Sequence, residues 1–157
     1  MNVEQLMSKN VKTCSAYDTL ELAARIMWEN DCGAVPIVDT DNRPIGMITD
    51  RDICMAAYTQ GKPLWSMPVS SAASHGVIAV RDSDGLDAAE ALMQKHQIRR
   101  VPVVDADGKA IGILSMNDLA RHAHTGHHRH NGLSADSIIR TFAAVCKPTA
   151  SHVHAAE

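Results

Sequence analysis

Residues 35–39 read Val-Pro-Ile-Val-Asp, and residues 101–105 read Val-Pro-Val-Val-Asp. The same offset of 66 residues, from 35 to 101, relates further positions on both sides of this stretch. One register that holds without a gap over this span indicates a duplicated unit, and such a repeat decides the architecture of a chain. The further matches are Ile45-Gly46 with Ile111-Gly112, Asp52 with Asp118, and Asp18, Leu20, Ala23 and Met27 with Asp84, Leu86, Ala89 and Met93.

A helix is predicted near the start of each copy. Leu20, Ala23 and Met27 follow the spacing of one apolar helix face. Asp18 is the expected cap of this helix, and Glu21 occupies the capping-box position. The matched positions of the second copy predict the same helix.

Short apolar runs predict the strands, and Asp107-Gly108 between two of them is a strong hairpin signal. A second helix is expected directly after each hairpin, beginning near Thr49 or Ser115. Each copy therefore has the order strand, helix, hairpin, helix. The expected strands of the first copy are residues 11–14, 35–39 and 44–48, and the first strand of the second copy is residues 77–80.

This order of elements predicts an α+β fold of two small domains. Neither copy is large enough to bury a good core by itself, so the two are expected to pack on each other as a pseudo-symmetric pair. The expected organisation is a first domain at residues 1–60, a linker at 61–76, a second domain at 77–124, and a His-rich linker with a short helix and a flexible tail at 125–157. Ser134 or Asp136 is the expected start of that helix.

Composition restricts the class of protein. The 157 residues are 45% hydrophobic but only 3% aromatic, which predicts an aliphatic core. A formal net charge of -3 argues against a general nucleic-acid binder. No apolar run reaches the roughly 18 residues of a membrane span. Four cysteines without a CxxC pair or a secretion signal favour a reducing, cytoplasmic location.

The pattern Gly-x-x-Thr/Ser-x-x-Asp occurs in both copies, ending at Asp52 and at Asp118. The glycine allows another group to approach the strand end. The hydroxyl of Thr49 or Ser115 lies at a helix N-terminus, which favours an anion, and the aspartate can accept hydrogen bonds from ribose hydroxyls. The same residues also fit a helix cap, and both interpretations stay open at this point because one side chain can serve both purposes.

These segments resemble the CBS domain family, and the pair resembles the tandem arrangement called a Bateman module. The matching stretches are residues 32–39 and 46–52 in the first copy and 98–105 and 112–118 in the second. The resemblance covers roughly residues 1–124. It implies two composite clefts, in which each Gly-x-x-Thr/Ser-x-x-Asp motif faces the other repeat and apolar strand residues enclose an adenine.

Carried over position by position, the resemblance implies the lining of each cleft. The first cleft would contain Thr49, Arg51, Asp52, Val77, Ile78, Arg99, Arg100, Val101 and Pro102. The second would contain Ser115, Asn117, Asp118, Thr13, Cys14, Gly33, Ala34, Val35 and Pro36. Because guanidinium groups bind phosphate through charge-assisted hydrogen bonds, the cleft around Asp52 is expected to bind the phosphorylated ligand more tightly.

The function that follows is regulatory. The module is expected to bind AMP, ADP or ATP, or else S-adenosylmethionine or NAD, as a regulatory ligand and to signal to a separate effector protein, without a further cofactor. No Walker A loop, Gly-x-Gly-x-x-Gly loop or catalytic triad motif is present, so no enzymatic activity is expected. The alternatives are a structural dimerisation module with empty clefts and a nucleic-acid-linked regulator. The resemblance also implies a homodimer formed through helix faces.

Five histidines lie between residues 122 and 130. Imidazoles at this density can bind transition metals, but no cysteine or carboxylate in the stretch completes a structural zinc site. The stretch is therefore interpreted as a flexible linker with adventitious metal affinity, and no dedicated metal site is expected.

Overall fold

The computed structural model describes residues 1–124 and 134–147. The first repeat contains β1 (Ser8–Lys9), β2 (Cys14–Ser15), α1 (Leu20–Glu29), β3 (Ala34–Val38), β4 (Pro44–Thr49) and α2 (Asp50–Gln60). It is followed by β5 (Ser74–His75), β6 (Val80–Arg81), α3 (Leu86–His96), β7 (Arg100–Val104), β8 (Ala110–Ser115), α4 (Met116–His124) and α5 (Ala135–Val145). The α+β plan of strand, helix, hairpin and helix is therefore confirmed in both copies.

The hairpins agree closely with the sequence pattern. β3 and β4 pair antiparallel with Val35 opposite Ile48. The matched turn positions Asn42 and Gly108 both have positive φ, at 62° and 80°. Asn and Gly are the residues that adopt this conformation most readily, so one repeat offset places suitable residues in both turns.

Two details of the prediction are wrong. The strand before each first helix is only two residues long, so Val77 and Ile78 precede β6 rather than lie in it. Thr19, not Asp18, caps α1, because its hydroxyl accepts a hydrogen bond from the Leu22 amide. The Asp18 carboxylate instead accepts a hydrogen bond from the Ser15 amide at 2.7 Å.

The strands form two four-stranded sheets, with the orders β2-β3-β4-β5 and β1-β8-β7-β6. The chain forms two compact units, which are described separately. Among the described residues, the first unit comprises 1–8, 82–101, 113–124 and 134–147, and the second comprises 9–81 and 102–112.

The core of the second unit is aliphatic and Met-rich, as composition predicts. Leu20, Val35 and Ile48 are completely buried, and Met67 and Val69 join them. The last two residues belong to the segment that was expected to be a linker. Its main chain is fixed as well, since the Leu20 amide donates to the Met67 carbonyl and the Val69 amide donates to the Asp18 carbonyl. Residues 61–76 therefore contribute to the packing of α1 and, through β5, to the sheet.

α5 packs on α3 in the first unit through a buried polar network. The carboxylate of Glu90, only 6% exposed, accepts hydrogen bonds from Ser137 Oγ at 2.7 Å and Thr141 Oγ1 at 3.2 Å. Gln94 Nε2 donates to the same Thr141 oxygen at 2.6 Å. Ser134 is the N-cap of α5, and it is one of the two residues, Ser134 and Asp136, at which the sequence predicts this helix to start. In the first repeat the position of Glu90 is Ala24, so the site that receives α5 belongs to the second repeat alone.

None of the helices within the described residues has the length and apolarity needed to cross a membrane. The histidine stretch beyond residue 124 and the C-terminal tail from residue 148 lie outside the described residues.

Gly46 is required where β5 approaches β4. A Cβ atom at this position would lie 2.6 Å from the main-chain carbonyl oxygen of Ser74. We expect Gly46→Ala to lower the free energy of unfolding by about 1–3 kcal/mol, because a backbone atom cannot move aside as a side chain can. Urea denaturation measures this change. Ile45→Ala, which shortens a half-exposed neighbour, is the control and should cost less than about 1 kcal/mol. Equal losses in the two variants would contradict the close approach.

Cys14 lies in the core of the second unit and is 4% exposed, whereas Cys32, Cys54 and Cys146 are exposed. Burial, with a smaller contribution from the charge of Asp18, raises the pKa of the Cys14 thiol to about 12. Because only the thiolate reacts, we expect the native chain to lose three thiols to iodoacetamide at pH 8 and the fourth only after denaturation. Peptide mass spectrometry identifies the protected residue. Alkylation of Cys14 at the same rate as Cys32 would refute its burial.

Candidate functional site

The first Gly-x-x-Thr-x-x-Asp motif ends in a closed ring of hydrogen bonds at the start of α2. The carboxylate oxygen Oδ2 of Asp52 accepts hydrogen bonds from the Thr49 amide at 2.9 Å and from the Thr49 hydroxyl at 2.6 Å. The Asp52 amide in turn donates to Thr49 Oγ1 at 3.2 Å. This is a reciprocal capping box with an aspartate in place of the usual glutamate or glutamine.

All four amides at this helix start have acceptors. Besides the amides of Thr49 and Asp52, the Asp50 amide donates to the Gly33 carbonyl at 3.3 Å. The Arg51 amide donates to the Asp50 carboxylate at 2.7 Å. The first turn of a helix binds anions through amides that lack partners. The start of α2 therefore offers no such amide to a phosphate.

The second motif repeats the ring at the start of α4. Asp118 Oδ2 accepts from the Ser115 amide at 2.8 Å and from its hydroxyl at 2.6 Å, and the Asp118 amide donates to Ser115 Oγ at 3.3 Å. The Met116 amide donates to the Arg99 carbonyl at 2.9 Å, which matches the contact between Asp50 and Gly33. Within the part of the chain that the structure describes, the amide of Asn117 has no acceptor.

The two aspartates differ in their second oxygen. Oδ1 of Asp118 is bound by the guanidinium of Arg121, whose side chain is 74% exposed while that of Asp118 is 6% exposed. Asp52 is less buried, and the position that matches Arg121 is Met55. Among the described residues, no donor reaches Oδ1 of Asp52. One carboxylate oxygen is thus open to a ligand hydroxyl in the first motif, and the corresponding oxygen is occupied in the second.

The structure places the other expected residues around these motifs within each unit. In the second unit, Thr13 and Cys14 lie at β2, which pairs with β3. Gly33 directly precedes β3, and Ala34, Val35 and Pro36 are its first three residues. Val77 and Ile78 precede β6, and Pro102 lies in β7. In the first unit, Arg99 directly precedes β7, Arg100 and Val101 are its first two residues, and Asn117 lies in the first turn of α4. The contacts that the structure shows join each motif to the pre-hairpin segment of its own repeat, and the pairing of each motif with the other repeat stays a prediction.

The expected role of the hydroxyls needs revision. Thr49 and Ser115 each donate their one hydroxyl proton to their own aspartate, so this proton is not available to a phosphate oxygen. The capping interpretation is therefore confirmed for both motifs, and the carboxylate is the motif group that stays a candidate for ligand contact. The pairing of Asp118 with Arg121 was missed, although a cation three residues after an acid on a helix is a recognisable signal.

No group of three or more histidine, cysteine or acidic side chains that could hold a metal ion occurs in residues 1–124 and 134–147.

The comparisons with known proteins agree on one family. The model of the CBS domain matches residues 3–58 and 69–125. Hypoxic response protein 1 of Mycobacterium tuberculosis is 31% identical over 145 residues, which cover 92% of this chain and 94% of that protein. A crystal structure of Hypoxic Response Protein I with two coordinated zinc ions is 31% identical with a TM-score of 0.70, covering 78% of this chain and 98% of that one.

Two solved structures that are similar to this chain contain adenosyl ligands. The CBS domain pair of protein MJ0100, in complex with 5-methylthioadenosine and S-adenosyl-L-methionine, is 26% identical with a TM-score of 0.72 and covers 80% of this chain and 98% of that one. CBSX2 in complex with AMP is 26% identical with a TM-score of 0.69 and covers 81% of this chain and 98% of that one. With both repeats matched by the family model, this chain belongs to the CBS domain family as a tandem pair.

Proposed function

We propose that this chain is a regulatory module that binds an adenine nucleotide or a related adenosyl compound. The resulting change in its conformation is proposed to be the signal to a separate protein. The observation that carries the proposal is the pair of aspartates, Asp52 and Asp118, which are fixed by capping boxes at matched helix starts. A carboxylate held in one orientation is preorganised to accept hydrogen bonds from adjacent ribose hydroxyls. The AMP and S-adenosyl-L-methionine complexes of similar CBS pairs support this class of ligand.

The ligand is proposed to act as a signal rather than a substrate. The motif residues of each unit form hydrogen bonds that stabilise a helix start, and none of these contacts activates a nucleophile or positions a general base. A ligand that binds one arrangement of the module more tightly than another shifts its population toward that arrangement. An effector protein that distinguishes the two arrangements would then respond to the concentration of the ligand.

The residues from the other repeat complete the proposed site. By resemblance to CBS pairs, Val77, Ile78 and residues 99–102 are proposed to accompany Asp52, while Thr13, Cys14 and residues 33–36 are proposed to accompany Asp118. Cys14 would contribute only its apolar surface, because its thiol is buried and protonated. The association of two copies and a cytoplasmic location remain part of the proposal.

A structural dimerisation module is the second candidate. It is favoured by the side chains of Trp28 and Tyr58, which lie on α1 and α2 and are 88% and 82% exposed. Exposed aromatic side chains of this size are enriched at protein interfaces. This candidate predicts association of two copies without any effect of a nucleotide.

Removal of the two motif carboxylates tests the proposed function. In Asp52→Asn/Asp118→Asn the amide oxygen can still accept the capping hydrogen bonds, but the ligand-facing carboxylate charge is lost. We expect the affinity for AMP or S-adenosyl-L-methionine to fall at least about tenfold, since hydrogen bonds to charged groups contribute about 1.5–3 kcal/mol each. Isothermal titration calorimetry measures the affinity.

The matched control is Asp87→Asn/Asp136→Asn, which removes the same charge from the exposed first turns of α3 and α5. It should bind like the unmodified chain. Equal affinities in all three proteins would show that the motif aspartates do not bind the ligand. Association of two copies with no heat from either ligand would favour the structural candidate.

A further inference from the structure

α5 is held on α3 by a polar anchor that the repeat itself does not supply. The buried carboxylate of Glu90 accepts hydrogen bonds from Ser137 and Thr141, and the first repeat has Ala24 at the matched position. Because burial removes water from Glu90, the carboxylate favours the docked helix only while these hydroxyls contact it. When α5 leaves, water can solvate Glu90 again, which lowers the cost of detachment.

The apolar contact between α4 and α5 is incomplete. The two helices leave a groove of about 380 Å³ between them, and the α5 side chains Ile139 and Phe142, which line it, are 65% and 53% exposed. Hydrophobic stabilisation follows the apolar area that is removed from water, so this side of α5 adds less to docking than a filled contact would. Elements with few buried apolar contacts open locally before a domain unfolds as a whole. α5 has the features of such an element.

The α4 wall of this groove is the helix start that carries the hydrogen-bonded ring of Ser115 and Asp118. The two residues inside the ring, Met116 and Asn117, line the groove together with side chains of α5. Detachment of α5 therefore changes the surroundings of the same helical turn whose hydrogen bonds orient the Asp118 carboxylate.

A second connection runs through the turn after α3. The side-chain amide of Gln97 donates to the carbonyls of Ala144 and Lys147, at 3.5 and 3.4 Å, in the last turn of α5 and just beyond it. Two residues after Gln97, the Arg99 carbonyl accepts a hydrogen bond from the Met116 amide at 2.9 Å. The end of α5 and the start of α4 are thus bound to one short segment before β7. Contiguous contacts of this kind can carry energetic coupling between two places in a protein.

We propose that α5 is a conformational switch of this module: it detaches from α3 and α4 as one unit, and its docking is coupled to the ring of Ser115 and Asp118. Coupling is reciprocal, so whatever stabilises the ring also stabilises the docked helix. The coupling is a property of the chain alone. Its use as a signal rests on the proposed function, in which a ligand at the Asp118 motif favours docked α5 and so changes the surface that a partner meets.

Hydrogen exchange of the folded chain, followed amide by amide with NMR spectroscopy, measures the detachment. Amides of α5 are expected to exchange through local opening, whereas those in the central turns of α3 require unfolding of the unit. The protection factors of α5 should therefore be at least about tenfold lower than those of α3. Equal protection factors in the two helices would overturn the proposal, because α5 would then open only together with the rest of the unit.

Substitutions in α5 test the polar anchor. Thr141→Val is nearly isosteric and removes the hydroxyl that contacts Glu90 and Gln94, so the protection of α5 should fall about tenfold. Ser137→Ala removes one donor at a half-buried position and should act in the same direction even if Thr141→Val does not fold. Thr59→Val is the matched control, because the Thr59 hydroxyl also bonds the carbonyl four residues earlier but lies in the second unit. Unchanged protection of α5 in both α5 variants would refute the anchor.

Matched ring variants test the coupling. Ser115→Ala removes the hydroxyl from the ring at α4, and Thr49→Ala removes the matched hydroxyl from the ring at α2. Ser115→Ala should lower the protection of α5 at least about fivefold. Thr49→Ala should leave it unchanged, because its ring belongs to the second unit and α5 to the first. Equal effects of the two variants, or no effect of Ser115→Ala, would overturn the coupling.

AMP separates this inference from the proposed function. With AMP in excess, the protection of α5 should rise, and Asp118→Asn should abolish that rise while Asp52→Asn retains it. If AMP does not bind, the proposed function fails, and the ring variants still decide whether α5 is coupled to the motif. If AMP binds but the protection of α5 stays the same, the proposed function stands and the use of α5 as the signal is overturned.

Discussion

The aspartate carboxylate that closes the first turn of a helix is the interaction on which both motifs depend. In each repeat one carboxylate oxygen accepts the amide and the hydroxyl of the residue three positions earlier, which fixes the helix start against the end of a hairpin strand. The same bonds fix the orientation of the second carboxylate oxygen. In the proposed function, helix stability and ligand recognition use different atoms of one side chain, and neither role excludes the other.

Duplication explains how much of the fold the sequence predicts. Strands and turns of the two repeats lie at positions related by the 66-residue offset, and the matched turn residues Asn42 and Gly108 both have positive φ. Apolar spacing of Leu20, Ala23 and Met27 predicts α1 because local periodicity decides which face is buried. The same sequence does not predict that Thr19 caps this helix, because threonine and aspartate are adjacent and both are good caps.

Other features depend on contacts between distant parts of the chain. Nothing local in residues 61–76 shows that Met67 and Val69 complete the core, since they pair with Leu20 and Asp18, which lie 47 and 51 residues earlier. The polar contacts between α3 and α5 cannot be predicted from local sequence either. Glu90 has the sequence context of an ordinary helical glutamate, and its donors Ser137 and Thr141 lie 47 and 51 residues later. For the candidate site, sequence identified the aspartates, but which of their atoms remain open depended on the exact hydrogen bonds. The two motifs differ where the repeat is not exact. Met55 and Arg121 occupy matched positions, and this difference in the sequence indicates that the two aspartates have different neighbours.

Thermal unfolding of the unmodified chain at increasing AMP concentration tests most directly whether the folded chain binds an adenosyl ligand. A ligand that binds only the folded state at a hundredfold excess over its dissociation constant adds about 2.7 kcal/mol of stability. For a chain of this size we expect a Tm that rises with the logarithm of the AMP concentration and is about 5–10 °C higher at that hundredfold excess. An unchanged Tm with AMP and also with S-adenosyl-L-methionine, up to about millimolar concentrations, would contradict it.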